Sequence, residues 1–352
     1  MSRPQDPHRP FFPFGNPFKT MLPRGSHLSP RLLALLNNFE EVLAESFRKL
    51  KPADKKDILS LSWMRFAMEL LCQTHTNIKT IITELDLPVC DWDDKWVDVY
   101  LDNSVKLLDI CLAFSAELSR ISQVRLSLQC ALHNLNASPK KQPVRARSSI
   151  EGWRQQINSK SPRLRNCSVI LDDLVHTINL PKIKNSSKGK VLMRVMYGVR
   201  VLTVFICSIF AAAFSGSENK LVELQVLESC LWAEAFKDVQ AHINGEIRNV
   251  ISSGKMTVMK ELEGVDASVK KLCPMIQDGV NSIRDEELQQ SISDIGKKAD
   301  NLAQGLDLLA KQVDSFFHIV LTGRDSLLSN LKAGYYVPDT KQEMNNVGQI
   351  VR

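Results

Sequence analysis

The most telling feature of this 352-residue sequence is the chemistry it lacks. Its eight cysteines, at 72, 90, 111, 130, 167, 207, 230 and 273, form no C-x-x-C pair, and most sit among Leu, Ile and Ala. That pattern excludes a zinc site and a disulfide framework, and it suits small buried thiols in a reducing compartment. The seven histidines, at 8, 27, 75, 133, 176, 242 and 318, make no H-E-x-x-H or Cys/His cluster. No G-x-S-x-G elbow marks a nucleophile. The string SSKGK at 186–190 has one glycine and no preceding strand, so it is no Walker loop. A helix beginning near Lys190 offers at most an anion contact at its N-terminus, beside Lys188 and Lys190. No catalytic, cofactor-binding or metal-ligating residue is therefore assigned. Aromatics are 7% of the chain and alternating β-branched runs are rare. Both scarcities disfavour a sheet, and the long segments rich in Leu, Ala, Lys, Glu and Ser favour helices.

What the chain does have is apolar mass, at 44%, and an uneven charge. The formal net charge is +6, yet residues 136–200 hold fourteen Lys and Arg against Glu151, Asp172 and Asp173, so the remainder is acidic. A basic middle suits an acidic partner, phosphate or an anionic membrane surface. The bland reading is a set of solvated loops paired with the acidic remainder. Ser148 and Ser149 follow Arg145 and Arg147 and are candidate phosphorylation sites, where phosphate would subtract from the basic charge.

The periodicity predicts an all-α fold, an elongated bundle with long coiled-coil-like helices. Residues 1–28 are a Pro/Phe-rich tail whose six prolines exclude helix and whose only acid is Asp6. Its poverty in acids is a trait of transit segments, while Phe11, Phe12, Phe14 and Phe18 suit a docking tail. The bundle is expected over 29–332, interrupted by basic linkers at 136–148 and 181–190, with 333–352 a loose C-terminal tail.

Ser29 caps and Pro30 opens a first helix that presents Leu32, Leu36, Phe39, Leu43, Phe47 and Leu50 on one face. A second helix is expected from about Asp57 to Leu85. A third, capped by Asp91, runs through Phe114 and is followed by a shorter amphipathic run to Leu135. A further helix is expected from about Arg165 to Leu180. Asp91, Asp93, Asp94 and Asp98 need no acid–base role, because capping and the helix dipole account for negative charge in a first turn.

Two segments stand out. Leu288, Ile292, Ile295, Ala299, Leu302, Leu306, Leu309, Val313, Phe316 and Val320 alternate in steps of four and three, a heptad seam. The other helices also need partners, so the seam predicts an intramolecular bundle rather than a zipper between chains. Gly296 and Gly305 fall off the seam and would each soften the helix by about 1 kcal/mol against Ala. Val201 to Phe214 is an apolar stretch without charge but shorter than the roughly 20 residues of a membrane span, so it reads as a central buried helix.

Four long strings resemble the plant BYPASS proteins. They are RPQDPHRPFFPFGNPF at 3–18, LPVCDWDDKWVDVYL at 87–101, NLPKIKN at 179–185 followed by KGKVLMR at 188–194, and MKELEGVD at 259–266. The resemblance covers the chain to about Leu331. It implies a developmental role, restraint of a root-derived, carotenoid-linked mobile signal that otherwise arrests shoot and leaf growth, and an association with plastids. The family supplies no catalytic residues to carry over.

The expected function is thus a non-enzymatic regulator of root and shoot development that acts on an unidentified protein partner. Arg145, Arg147, Lys182, Lys184, Lys188 and Lys190 are the expected partner or anion contacts, and no nucleic-acid partner is expected. One alternative is a small-molecule binder or enzyme that acts on the signal precursor through a cavity between helices. Another is peripheral membrane contact through 182–214. A plastid location is expected, with cytoplasmic or membrane-associated alternatives.

Overall fold

The Ser29 Oγ accepts a hydrogen bond from the Leu32 N–H at 3.4 Å, and Pro30 follows at the first helical position. The chain therefore enters its first helix as the capping rules require. The computed structural model describes residues 28–85, 94–137, 143–178, 186–253, 259–277 and 284–335. Helices run over α1 (Pro30–Leu50), α2 (Leu61–Leu85), α3 (Asp94–Ala137), α4 (Pro143–Asn158), α5 (Pro162–His176), α6 (Ser187–Ser215), α7 (Ala233–Ser252), α8 (Lys260–Gln277) and α9 (Arg284–Tyr335). No strand occurs among the described residues, so the all-α reading holds.

The longest helix organises one side of the bundle. At about 1.5 Å per residue, the 52-residue α9 extends about 78 Å. It packs along α2, α3 and α8. All ten seam residues from Leu288 to Val320 are buried against these neighbours within the chain. Gly305 has a second role there: a Cβ at this position would lie 2.6 Å from Leu61 Cδ1, so its bareness admits α2. Gly296 faces nothing within 4 Å.

The other organiser is α6, which packs on α1, α2, α3 and α5. Every residue from Val201 to Phe214 is buried. The helix is long and apolar enough to cross a membrane, yet 94% of its most apolar stretch lies inside the fold. Glu40 of α1, only 2% exposed, ties this centre together. It accepts from Arg194 Nε at 2.6 Å and from the Leu231 N–H at 2.7 Å. Gly216 ends α6 at φ 66°, a left-handed position that glycine adopts without a Cβ penalty.

Several boundaries differ from those read in the sequence. A short 3-10 turn, Lys55–Asp57, precedes α2, which begins only at Leu61, where the Glu261 carboxylate accepts from the Leu61 N–H at 3.0 Å. A single 44-residue α3 replaces the expected helix and shorter run. The charged pair Glu117 and Arg120 marks no surface break, because Glu117 is fully buried, bridged to Arg120 at 2.7 Å and accepting from the Ser161 N–H at 2.9 Å. α5 ends at His176. Much of the expected 136–148 linker is helical, since Pro143 suits a first helical position and opens α4 rather than continuing a loop. From Ser187 the second expected linker already belongs to α6. Residues 1–27, 336–352 and Asp91 to Asp93 lie outside the described residues, while α9 runs three residues into the expected C-terminal tail, to Tyr335.

Candidate functional site

Four helices turn one stripe each toward a common space. On α2 the stripe is His75, Ile78, Lys79 and Ile82; on α3 it is Tyr100, Asn103, Ser104 and Leu107. On α6 it is Met196, Val199, Arg200 and Thr203; on α9 it is Val320, Gly323 and Leu327. Positions three, four and seven apart share a helix face, so each stripe follows from helical geometry. Together with Leu174 of α5 they line a partly open cavity of about 460 Å³. That volume lies in the range of small-molecule sites, and a mainly apolar wall with a few converging polar groups is their usual make-up.

His75 and Thr203 face each other across the α2–α6 wall, with Nε2 and Oγ1 2.9 Å apart. The Thr203 hydroxyl donates to the Val199 carbonyl at 2.7 Å, which uses its single proton. It must therefore accept from His75, so the imidazole carries its proton on Nε2 and leaves Nδ1 a bare acceptor. Desolvation pushes the His75 pKa down to about 4, keeping the ring neutral near pH 7. Its ring also stands edge-on to Phe316, centroids 5.0 Å apart.

On the α3–α6 side, Thr177 joins two further groups. Its carbonyl accepts from Arg200 Nη1 at 2.5 Å, and its hydroxyl, which lies 3.1 Å from the Asp173 carbonyl and 3.2 Å from the Leu174 carbonyl, is 3.4 Å from Asn103 Oδ1. Burial lowers the Arg200 pKa to about 10, which leaves the guanidinium charged. The carboxylate that acts on it, Asp102, is engaged by Lys106, which also holds Asp173. Asn103 is 7% exposed, and its Nδ2 has no hydrogen-bond partner. Nearby, Arg324 Nη1 donates to the Leu101 carbonyl at 2.6 Å and to Ser104 Oγ at 3.0 Å, tying α9 to α3 at the cavity edge.

The residues singled out in the sequence lie elsewhere. Arg147, Ser148 and Ser149 are exposed on α4, and Arg147 Nε donates to Glu151 Oε1 at 2.9 Å. Arg145 is on the same helix, but its side chain is not described. Lys188 and Lys190 are half-buried in the first turn of α6, while Lys182 and Lys184 lie outside the described residues. α4 packs on α3 and α8, whereas α6 packs on α1, α2, α3 and α5, so these cations sit on two different helices that share α3 as a neighbour. Ser186 Oγ accepts from the Gly189 N–H at 3.0 Å, so the α6 N-terminus is capped by its own chain. No group of three or more His, Cys, Asp or Glu suited to a metal ion occurs among the described residues.

Sequence reading passed over His75, Asn103, Arg200 and Thr203 as site residues. The available signal was polar residues three apart, Arg200 and Thr203, on the edge of an otherwise apolar helix.

The family model described as Protein ROH1-like matches residues 26–150 and 163–331. This chain belongs to the ROH1-like family. The matched segments include every cavity residue named above. The chain is 55% identical over 334 residues to Protein BPS1, chloroplastic, of Arabidopsis thaliana, covering 95% of this chain and 94% of that one. This match bears out the BYPASS resemblance and places this ROH1-like protein among plant developmental regulators. It is 38% identical to UPF0496 protein 4 of Oryza sativa subsp. indica, covering 94% of this chain and 97% of the rice protein. Protein ROH1D of Arabidopsis thaliana is 21% identical over 83% of this chain and 87% of its own length. The name of the first relative is consistent with a plastid location. No solved structure matches this chain.

Proposed function

We propose that this ROH1-like protein is a non-enzymatic regulator of root and shoot development that works by holding a small, largely apolar molecule in the α2–α3–α6–α9 cavity. Through that molecule it restrains a root-derived mobile signal that arrests shoot and leaf growth, and it does so in the plastid. The observation that carries the reading is the cavity itself, about 460 Å³ of mostly apolar wall into which only a few polar side chains project. The family supplies the developmental setting. A membrane contact through 182–214 is less well supported, because the apolar surface of Val201 to Phe214 is already buried in the core. Contact with a protein partner through Arg147 and the α4 surface is compatible with ligand binding, since that surface is exposed and separate from the cavity.

The test is complementation. Plants lacking the endogenous protein would receive the wild-type chain, or Ile82→Trp or Leu327→Trp, which fill the cavity from α2 and from α9. Each variant is first checked for accumulation and for a wild-type circular-dichroism melt. Wild type should restore shoot growth and the filled variants should not. Full rescue by a folded, accumulated, filled variant would remove the cavity from the function.

A further inference from the structure

The cavity has an apolar body and one electropositive corner. Arg200 and Asn103 meet there beside Thr177, whose carbonyl accepts from the guanidinium and whose hydroxyl lies 3.4 Å from the Asn103 amide oxygen. The Arg200 guanidinium makes no ion pair with a carboxylate among the described residues, because Asp102 is bound to Lys106. Asn103, more than nine-tenths buried, keeps an amide nitrogen with no acceptor. Buried donors left unpaired are costly, and a buried cation without an anion more so. Both deficits are of one sign: the guanidinium lacks a counter-charge and the Asn103 amide nitrogen lacks an acceptor, on two helices at the same end of a largely apolar space. A group with two acceptor oxygens and a negative charge satisfies both at once, and the guanidinium fork matches a carboxylate in particular.

Resting on the ligand-binding reading above, we propose that the cavity takes an apolar monocarboxylic acid, its carboxylate held by Arg200 and Asn103 and its hydrocarbon body laid along Ile78, Leu107, Val199 and Val204. His75 does not compete for the head group as a cation, since the neutral ring donates to Thr203 and leaves only a bare acceptor nitrogen. Ile78 and Ile82 of α2 therefore meet the ligand tail, Lys79 of the same stripe is exposed, and the α3–α6 corner meets its head.

The experiment uses the full chain and three probes: Nile red as a neutral reporter, dodecanoate, and dodecan-1-ol, which has the same tail without the charge. Displacement of Nile red is followed by fluorescence, with stoichiometry from titration calorimetry. Dodecanoate should bind one per chain and about tenfold more tightly than the alcohol, the usual scale of one charge-assisted contact. Arg200→Gln should collapse that preference to about twofold or less, and Asn103→Ala should reduce it in part. Equal affinity for acid and alcohol, or a preference that survives Arg200→Gln, would overturn the acid assignment while leaving a neutral ligand in the cavity. Absence of saturable binding by all three probes, or binding insensitive to Ile82→Trp, would overturn the cavity reading itself. Should Arg200→Gln fail to fold, Arg200→Lys decides instead: it keeps the charge but not the fork, so the preference should fall without vanishing.

Discussion

Thr203 donates its only hydroxyl proton to the Val199 carbonyl and so accepts from His75 Nε2, 2.9 Å away. This contact joins α2 to α6 at the cavity wall, with the imidazole neutral and its other nitrogen unprotonated. Desolvation keeps it so by lowering the His75 pKa from 6.5 to about 4.

The sign of the resulting pH dependence follows from linkage. A depressed folded pKa means that the contribution is complete above pH 6.5 and is lost progressively as pH falls toward about 4, because the unfolded ring takes the proton first. At 1.36 kcal/mol per unit the loss is at most about 3 kcal/mol. Urea unfolding of wild type and His75→Asn at pH 7.5 and 4.5 isolates it, since the two proteins share every other ionisable side chain around the cavity. Wild type should lose more stability than the variant; identical losses would contradict the assignment.

The two glycines of α9 should respond in opposite directions. Gly296→Ala meets nothing within 4 Å and should stabilise by up to about 1 kcal/mol through helix propensity. Gly305→Ala would drive a methyl to 2.6 Å from Leu61 Cδ1 and 3.1 Å from its Cβ. Overpacking of this kind costs about 1–3 kcal/mol and outweighs the propensity gain. Thermal melts of the two variants give the comparison.

Ion pairs should divide by burial. Glu40→Ala strips Arg194 and the Leu231 N–H of their shared acceptor inside the bundle and should cost about 3 kcal/mol or more. Asp238→Ala removes the exposed pair with Lys51, 2.9 Å long, and should cost less than about 1 kcal/mol. Similar losses for the two in denaturant titrations would argue against the placement of α1 on α6.

Cysteine reactivity reports whether α6 is enclosed. Cys130 is exposed on α3, whereas Cys207 is buried in α6 and desolvation raises its thiol pKa well above the usual value. Iodoacetamide on the native protein should label Cys130 and spare Cys207, as peptide mass mapping would show. Early labelling of Cys207 would mean that α6 leaves the core.

Sequence legibility followed the strength of the pattern. The α9 seam was readable because ten apolar positions keep one period and all are buried as expected. The enclosure of Val201 to Phe214 was readable because a stretch of fourteen residues, twelve of them apolar and none charged, has no other place in a bundle of amphipathic helices. The continuity of α3 was not, since a Glu117 that looks like surface is neutralised by Arg120 and by the turn at Ser161. Nor was the cavity. His75 had no neighbouring ligand residue in the chain, and Arg200 was counted with a basic segment whose other members lie elsewhere. Only the packing of four helices brings His75, Asn103, Arg200 and Thr203 around one space.

The most direct test of the central claim is a crystal structure of the full chain grown with an ω-bromo fatty acid, read by bromine anomalous scattering. The account predicts a bromine peak among the apolar residues of the α2–α3–α6–α9 cavity, with the carboxylate within hydrogen-bond reach of Arg200. A cavity filled by side chains, or bromine found only on the outer surface of the bundle, would contradict it.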